Sequence, residues 1–281
     1  MNNSNSSDIS ISIPDGIKEM LEEKLIQSSV GIEEIYSWIF DYFNYQFNGT
    51  EEPVAFKIFV NELSSNFADV KLKQLRTIGI DFPILLSKGT KKPVAMVCAM
   101  DPLRDETDVT EISTEIGMWV PFSAINNPNN EKIRMKPSDK RNLSFFHALM
   151  ETHDLYLTDA FKLFYREGKD LSNGQIEFKK LSVHREILER EIQLAQPKAI
   201  VSLGNHARDS ISQILNLHAP AWSDTVYKTK TCDGKTVIMV PHISGSASGY
   251  KAPILKNENY KSIEGKDNER YARIIASVIG N

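Results

Sequence analysis

Two cysteines in 281 residues set the first boundary. Cys98 lies inside an apolar run and Cys232 beside a turn. They are too few and too far apart in sequence to suggest a disulfide scaffold, a cysteine-built metal site or an iron–sulfur site. A reducing, cytoplasmic setting is the expectation. No stretch approaches the roughly 18 consecutive apolar residues that a membrane span needs. Residues 1–12 are rich in Asn and Ser, with no basic n-region and no sustained apolar h-region, and read as a frayed tail rather than a leader. Neither charge dominates, with 33 Lys and Arg against 37 Asp and Glu for a net charge of −4. That balance argues against indiscriminate coating of nucleic acid and leaves room for a local basic face. No GxGxxG follows a strand, and there is no Walker lysine loop and no GxSxG elbow. Dinucleotide, nucleoside-triphosphate and serine-hydrolase chemistry therefore lack their apparatus. His147, His153, His184, His206 and His218 hold no metal-ligand spacing with the acids and read as structural or surface groups, so no cofactor is called for.

With 41% apolar and 25% charged residues the chain has the make-up of an ordinary globular protein with ample core. From Pro14 to Gly79 the pattern is helical. Pro14 and Asp15 open a helix with Ile17, Met20, Leu21 and Leu25 on one face, and Gly31 marks a restart. Ile32, Ile35, Tyr36, Ile39, Phe40 and Phe43 then recur at three- and four-residue spacing, a broad stripe that belongs to a core. Phe56, Phe59, Val60, Leu63 and Phe67 predict a third helix, with Lys71, Lys73 and Arg76 on its polar side. The polar connector SKGTKK, Ser87 to Lys92, is the first boundary. The expected division is a tail at 1–13, a helical region at 14–90 and an α/β domain at 91–281.

That domain is organised around KPVAMVCAMDPLRD, Lys92 to Asp105. Val94 to Met100 is apolar and uncharged between two prolines, the signature of a buried strand in a parallel sheet. Asp101 stands where the strand ends, the place at which ligands bind in open α/β sheets, although an Asx turn accounts for it equally simply. Further strands are expected at Asp154–Ala160, ending at Asp159, at Lys198–Gly204, and at Thr236–Val240 ahead of VPHISGSASGY. Helices are expected at Leu143–Met150, Val183–Gln196, Asn205–Leu215 and Tyr271–Ile279. The alternation predicts an α/β three-layer sandwich with a central, mostly parallel four-stranded sheet, plus N-terminal helices. Between Asn126 and Arg141 a polar loop carries Lys132, Arg134, Lys136, Lys140 and Arg141, a stretch suited to phosphate. Three polar stations thus gather at one sheet edge: Asp101, Asp159, and His242 with Ser244. Taken singly, each has a plainer reading, as turn, helix cap or flexible loop.

Ala99-Met100-Asp101-Pro102, Leu157-Thr158-Asp159-Ala160, HREILEREIQLAQPKAIVSLGNHA from His184 to Ala207, and His242-Ile243-Ser244-Gly245-Ser246 are the residues that carry a resemblance. In this order they resemble the landmarks of the uracil-DNA glycosylase superfamily, from about Pro93 onward. The middle segment is similar to the iron–sulfur type of bacterial uracil glycosylase, but the four cluster cysteines are absent, so this version works without the metal. The resemblance implies hydrolysis of an N-glycosidic bond in DNA, with the target base flipped out of the stack. It makes Asp101 the catalytic carboxylate and His242 the donor to the departing base. It sets Met100 and Asp159 against the base, with Trp119 or Phe122 stacking on it, and both aromatics stay open. Pro102, Ser244, Gly245 and Ser246 fall where the family grips a phosphate beside the flipped nucleotide.

Two departures shape the expected substrate. Many family members read uracil with an Asn at the position of Asp159; an ionised carboxylate only accepts hydrogen bonds and suits the exocyclic amino group of cytosine. A modified cytosine, of the sort an invading phage carries, becomes the hypothesis. Ser246 stands where a bulky apolar wedge commonly fills the hole left by the flipped base, so single-stranded or already distorted DNA is the expected partner. Two other classes remain: a glycosylase-fold module that binds nucleic acid or protein without catalysis, and an N-glycosidase acting on free nucleosides.

Overall fold

The computed structural model describes residues 9–27, 31–71, 77–100, 114–127, 135–166, 182–218, 228–244 and 247–280. The chain begins with β1 (Ile9–Ser12), α1 (Ile17–Lys24) and α2 (Ile32–Asn48), followed by β2 (Ile58–Phe59), β3 (Thr77–Asp81), β4 (Ile84–Lys88), β5 (Val94–Ala99) and β6 (Glu115–Trp119). Then come α3 (Pro137–Leu149), β7 (Asp154–Asp159), β8 (Leu163–Arg166), α4 (Ser182–Ala195), β9 (Ala199–Leu203) and α5 (Asn205–Ile214). The chain closes with β10 (Lys228–Cys232), β11 (Lys235–Val240), α6 (Ser248–Leu255) and α7 (Asp267–Ile279). No helix among the described residues is long and apolar enough to cross a membrane.

The fold is α/β, but the main sheet has seven strands and is mixed, in the order β1-β4-β7-β5-β9-β11-β10, where a four-stranded, mostly parallel one is expected. The four expected strands form its middle: β5 runs parallel to β7 and β9, and β9 parallel to β11. Residues of β5, β7 and β9 are buried on both faces, which is why β5 and β9 read as apolar runs, while β7 buries the acids Asp154 and Asp159 at its two ends as well. The additions are antiparallel edges. On one side β4 pairs with β7 and β1 with β4; on the other, β10 pairs with β11 through a two-residue loop. That loop is Asp233-Gly234, at φ 49° and 72°, the left-handed pair a type I′ hairpin requires.

A second sheet, ordered β2-β6-β3-β8, stands beside the first. The chain passes between the sheets at Phe82-Pro83, from β3 to β4, and at Ala160–Lys162, from β7 to β8. Strands from before residue 91 therefore share both sheets with strands from after it, and the SKGTKK connector joins two strands of the main sheet. Ile9–Ser12, from the stretch expected to fray, is the edge strand β1.

The third N-terminal helix does not form. Ile58 and Phe59 pair with β6, and two 3-10 turns and a single helical turn at Ala68–Lys71 follow. Besides its own turns the segment hydrogen-bonds to the end of α1: Ser64 N–H donates to the Leu25 carbonyl (2.9 Å), Gln27 N–H to the Glu62 carbonyl (3.0 Å), and Ser64 Oγ to the Lys24 carbonyl (2.6 Å). Of the five residues of the expected stripe Leu63 and Phe67 are buried and Phe59 is exposed, while Ile58, outside the stripe, is buried. Helix α2 buries Ile32, Ile35, Tyr36, Ile39 and Phe43, and the Tyr36 hydroxyl donates to the Pro83 carbonyl (2.9 Å) at the crossing between the sheets.

Leu157 in β7 and Ile39 in α2 are both fully buried. Replacing either with Ala is expected to cost about 2–5 kcal/mol. Because both belong to one continuous core, urea unfolding followed by tryptophan fluorescence and by far-UV circular dichroism should shift together in a single transition for each variant. An Ile39→Ala protein that melts in two stages would show the N-terminal helices to be a separate unit.

Candidate active site

In the strand order β7-β5-β9-β11 the chain leaves β5 to one side and returns on the other, so the carboxyl ends of β5 and β9 flank a crevice. A cavity of about 360 Å³ opens there. Its walls come from the strand ends: Ala99 and Met100 after β5, Asp159 at the end of β7, and His242 and Ser244 after β11. The second sheet adds Asp81 from β3, Trp119 and Val120 from β6, then Phe122 and Ser123; α3 adds Asp139, Arg141 and Asn142.

Of the residues singled out in the sequence, Met100, Trp119, Phe122, Asp159, His242 and Ser244 are brought together here. Asp101 and Pro102, the two residues directly after Met100, and Gly245 and Ser246 lie outside the described residues, as do Lys132 and Arg134 of the basic stretch. The expected loop at 126–141 is in part helix. Helix α3 starts at Pro137, a residue pre-set for the first helical position, and not at Leu143. That earlier start turns Asp139, Arg141 and Asn142 into cavity residues. Asp81 was missed because β3 is short and pairs only with distant segments.

Backbone bonds lace the strand ends into a rigid rim. Ala160 N–H donates to the Ala99 carbonyl (2.9 Å) and Phe161 N–H to that of Met100 (2.9 Å), so the β5 end is held from β7 up to the residue before Asp101. Gly204 N–H donates to the Val240 carbonyl (2.9 Å). Gly204 sits at φ +87°, which strains any side chain, and a Cβ there would meet His242 Cβ at 3.5 Å.

The His242 loop is fastened from below. The Tyr271 hydroxyl donates to the Pro241 carbonyl (3.0 Å), and Lys251 Nζ (3.0 Å) and Asn268 Nδ2 (3.1 Å) both donate to that of Ile243. Asn268 Nδ2 also reaches the Arg141 carbonyl (3.3 Å), coupling this loop to α3 across the cavity. Nothing in the local sequence around His242 announces these three residues, which lie on α6 and α7.

His242 is held as a neutral donor. Its Nδ1 accepts the backbone N–H of Ser244 at 3.1 Å, which assigns the ring proton to Nε2. Burial, with the charge of Lys251 nearby, lowers its pKa to about 4. Phe122 packs edge-on against Phe146 and lies near-parallel to the His242 ring, centroids 6.2 Å apart. Phe122 and Ser123 take φ of 61° and 54°, a left-handed conformation that is costly for side chains of this size and found where surroundings enforce it. Trp119 is backed by α2, edge-on to Tyr42 (4.8 Å) and Trp38 (5.8 Å).

Beneath Asp159 lies a buried ion pair. Lys162 Nζ, 1% exposed, donates to Glu191 Oε2 (2.6 Å), to Thr158 Oγ1 (2.5 Å) and to the Asp159 carbonyl (2.5 Å), and the Thr158 hydroxyl donates on to Glu191. Burial pushes the Glu191 carboxyl up, and Lys162 and the hydrogen bonds oppose that shift. The Lys162 backbone N–H donates to His184 Nδ1 (3.1 Å), and burial with the neighbouring ammonium lowers the His184 pKa to about 3. The arrangement can thus present buried carboxylates as acceptors, a neutral N–H as donor and an aromatic face, in one crevice shielded from bulk water.

A family model for the uracil DNA glycosylase superfamily matches residues 132–263. The match covers α3, β7, α4, β9, α5, β11, the His242 loop and α6; it starts later than the expected Pro93, so β5 and Asp101 precede it. It agrees with a glycosylase-type fold and, at the family level, with hydrolase chemistry on DNA. No curated protein matches the chain.

Replacing Lys162 with Met leaves a buried carboxylate alone and should cost about 3–5 kcal/mol, most of it recovered in Lys162→Met/Glu191→Leu, where both charges go; urea unfolding near neutral pH measures both. The two histidines give a pH dependence. Their folded pKa values lie below the ordinary 6.5. The unfolded chain therefore takes up protons first, and this stability is complete above 6.5 and lost as pH falls through about 4 and then about 3. Melting temperature should drop between about pH 7 and about pH 4.5, and His184→Asn, whose amide oxygen still accepts from Lys162, should flatten the drop.

Proposed function

Taking the chain as a uracil-DNA glycosylase superfamily member over residues 132–263, we propose that it is a DNA glycosylase that removes a flipped cytosine-type base, with a modified cytosine as the preferred target. The observation that carries this reading is the crevice in which a neutral His242, Phe122 and the buried Asp159 line one cavity at the strand ends. In the reaction the bond from C1′ to the base nitrogen breaks, its electron pair leaves with the base, and a water oxygen bonds to C1′ while the proton that water loses passes through solvent to the departed base. Asp101, next after the cavity residue Met100, is the carboxylate that favours the cationic sugar and orients the water. His242 donates from Nε2 to the base O2 as negative charge develops there; a neutral imidazole gives this bond as an imidazolium would, and its Nδ1 stays free of a proton to accept from the Ser244 N–H.

Phe122 rather than Trp119 is the aromatic that stacks on the base, since its strained backbone presents it beside His242 while Trp119 is engaged edge-on by α2. Asp159 accepts from the exocyclic amino group. Asp81 and Asp139 strengthen the preference for a base rich in donors, and Asn142, on the same helix as Asp139, adds an amide to the lining. Pro102, Ser244, Gly245 and Ser246 meet the flanking phosphate, and single-stranded or distorted DNA is the substrate form.

The test is base release, by mass spectrometry, from single- and double-stranded DNA holding uracil, cytosine or modified cytosines. Asp101→Asn should lower the rate about 10²–10⁴-fold and His242→Ala about 10²–10³-fold. Asp159→Asn should shift selectivity toward uracil by about 1–3 kcal/mol. Efficient release of plain uracil by the wild type, with every cytosine ignored, would sink the assignment of the base. No release of any base would sink the enzyme.

A further inference from the structure

A second cavity, of about 240 Å³, adjoins the first, and His242 and Ser244 line both. Gly204, Asn205 and Ala247 form its floor and sides, and Tyr250 stands at its edge. Large apolar side chains that stay well exposed are few among the described residues: Val54, Phe59 and Tyr250. Val54 and Phe59 belong to the segment after α2, away from the strand ends, whereas Tyr250, 59% exposed, meets a cavity that continues the base crevice. Its helix is held in place. Lys251, the next residue, is buried with Nζ bonded to the Ile243 carbonyl (3.0 Å) and Asn268 Oδ1 (2.9 Å), so the Tyr250 backbone is tied to the loop that carries His242.

Charge separates the two cavities. Three carboxylates, Asp81, Asp139 and Asp159, and one guanidinium, Arg141, line the first and leave it net negative, and no Asp, Glu, Lys or Arg lines the second among the described residues. A phosphodiester running away from a nucleotide seated at His242 meets net like charge on the first side and none on the second. The second side also offers a flat aromatic face, which any nucleobase can stack upon whatever its sequence.

We infer that this second cavity is a subsite for the nucleotide next to the flipped one in single-stranded DNA, with the neighbouring base stacked on Tyr250. The inference rests on the proposed glycosylase reading and extends it. Stacking on an exposed aromatic needs a base already free of its duplex partner, so the subsite favours single strands over intact duplex.

Fluorescence anisotropy with a labelled single-stranded oligodeoxynucleotide carrying cytosine at its centre tests this. The neighbouring nucleotides, one side at a time, are either intact or replaced by an abasic tetrahydrofuran. Tyr250→Ala should weaken binding of the intact strand roughly 5- to 100-fold and Tyr250→Phe should leave it unchanged. On the strand lacking the neighbouring base on one side, wild type and Tyr250→Ala should bind alike, and thermal melting of the variants should match wild type. Equal binding of the intact strand by Tyr250→Ala overturns the subsite, and so does a loss of the same size on all abasic strands, which would place Tyr250 on the backbone. If the wild type binds salt-dependently and releases a base while Tyr250→Ala behaves identically, the subsite alone falls. If the wild type binds no DNA, the glycosylase reading falls with it.

Discussion

Four parallel strands buried on both faces leave a chain only their ends at which to present polar groups. In this protein the order β7-β5-β9-β11 aligns the carboxyl ends, and the reversal between β5 and β9 parts the helices there. The crevice is therefore a product of strand order before any side chain is considered. The rim bonds from Ala160 to Ala99, Phe161 to Met100 and Gly204 to Val240 are the backbone's own answer to ending buried strands, since their groups must be paired somewhere. Chemistry is hung on a frame that is rigid for reasons unrelated to chemistry.

Polar groups inside that frame come in mutually supporting sets. Lys162, Thr158 and Glu191 close a network under Asp159 whose members depend on one another, because a lone charge at that depth is strongly destabilising. Lys251, Asn268 and Tyr271 do the same for the His242 loop through carbonyl oxygens. Both supports act on backbone positions, leaving the side chains of Asp159 and His242 to the cavity they line.

The legible part of the sequence was the part whose physics is local. β5, β9 and β11 read as strands because burial on both faces leaves a run of apolar residues, and β7 because Leu155-Tyr156-Leu157 stands between two acids. Met100, Asp159, His242 and Ser244 could be picked out because they stand at or just beyond the ends of such runs. β1 and β10 are the edges, β10 being the polar KTKTC, and β4 lies one place in from β1; only the turn beside Cys232 hinted at any of them. The segment from Phe56 to Phe67 misled because apolar residues at helical spacing fall on a strand and two tight turns, and of them only Leu63 and Phe67 are buried. Asp81, Asp139 and Asn142 were invisible as cavity residues, since their position depends on the second sheet and on where α3 begins. The Lys162–Glu191 pair joins residues 29 apart, and the Asn268–Arg141 bond residues 127 apart, contacts that no local pattern encodes.

Helix α2 looks, in sequence, like an appendage to an α/β domain. Its aromatic side chains nonetheless press on the back of Trp119, whose front lines the cavity. At Trp119 the cavity wall is one indole thick, with α2 as its outer support. Anything that engaged α2 from outside would be felt inside the crevice through a single ring, so that the segment of least obvious purpose is mechanically the nearest neighbour of the chemistry.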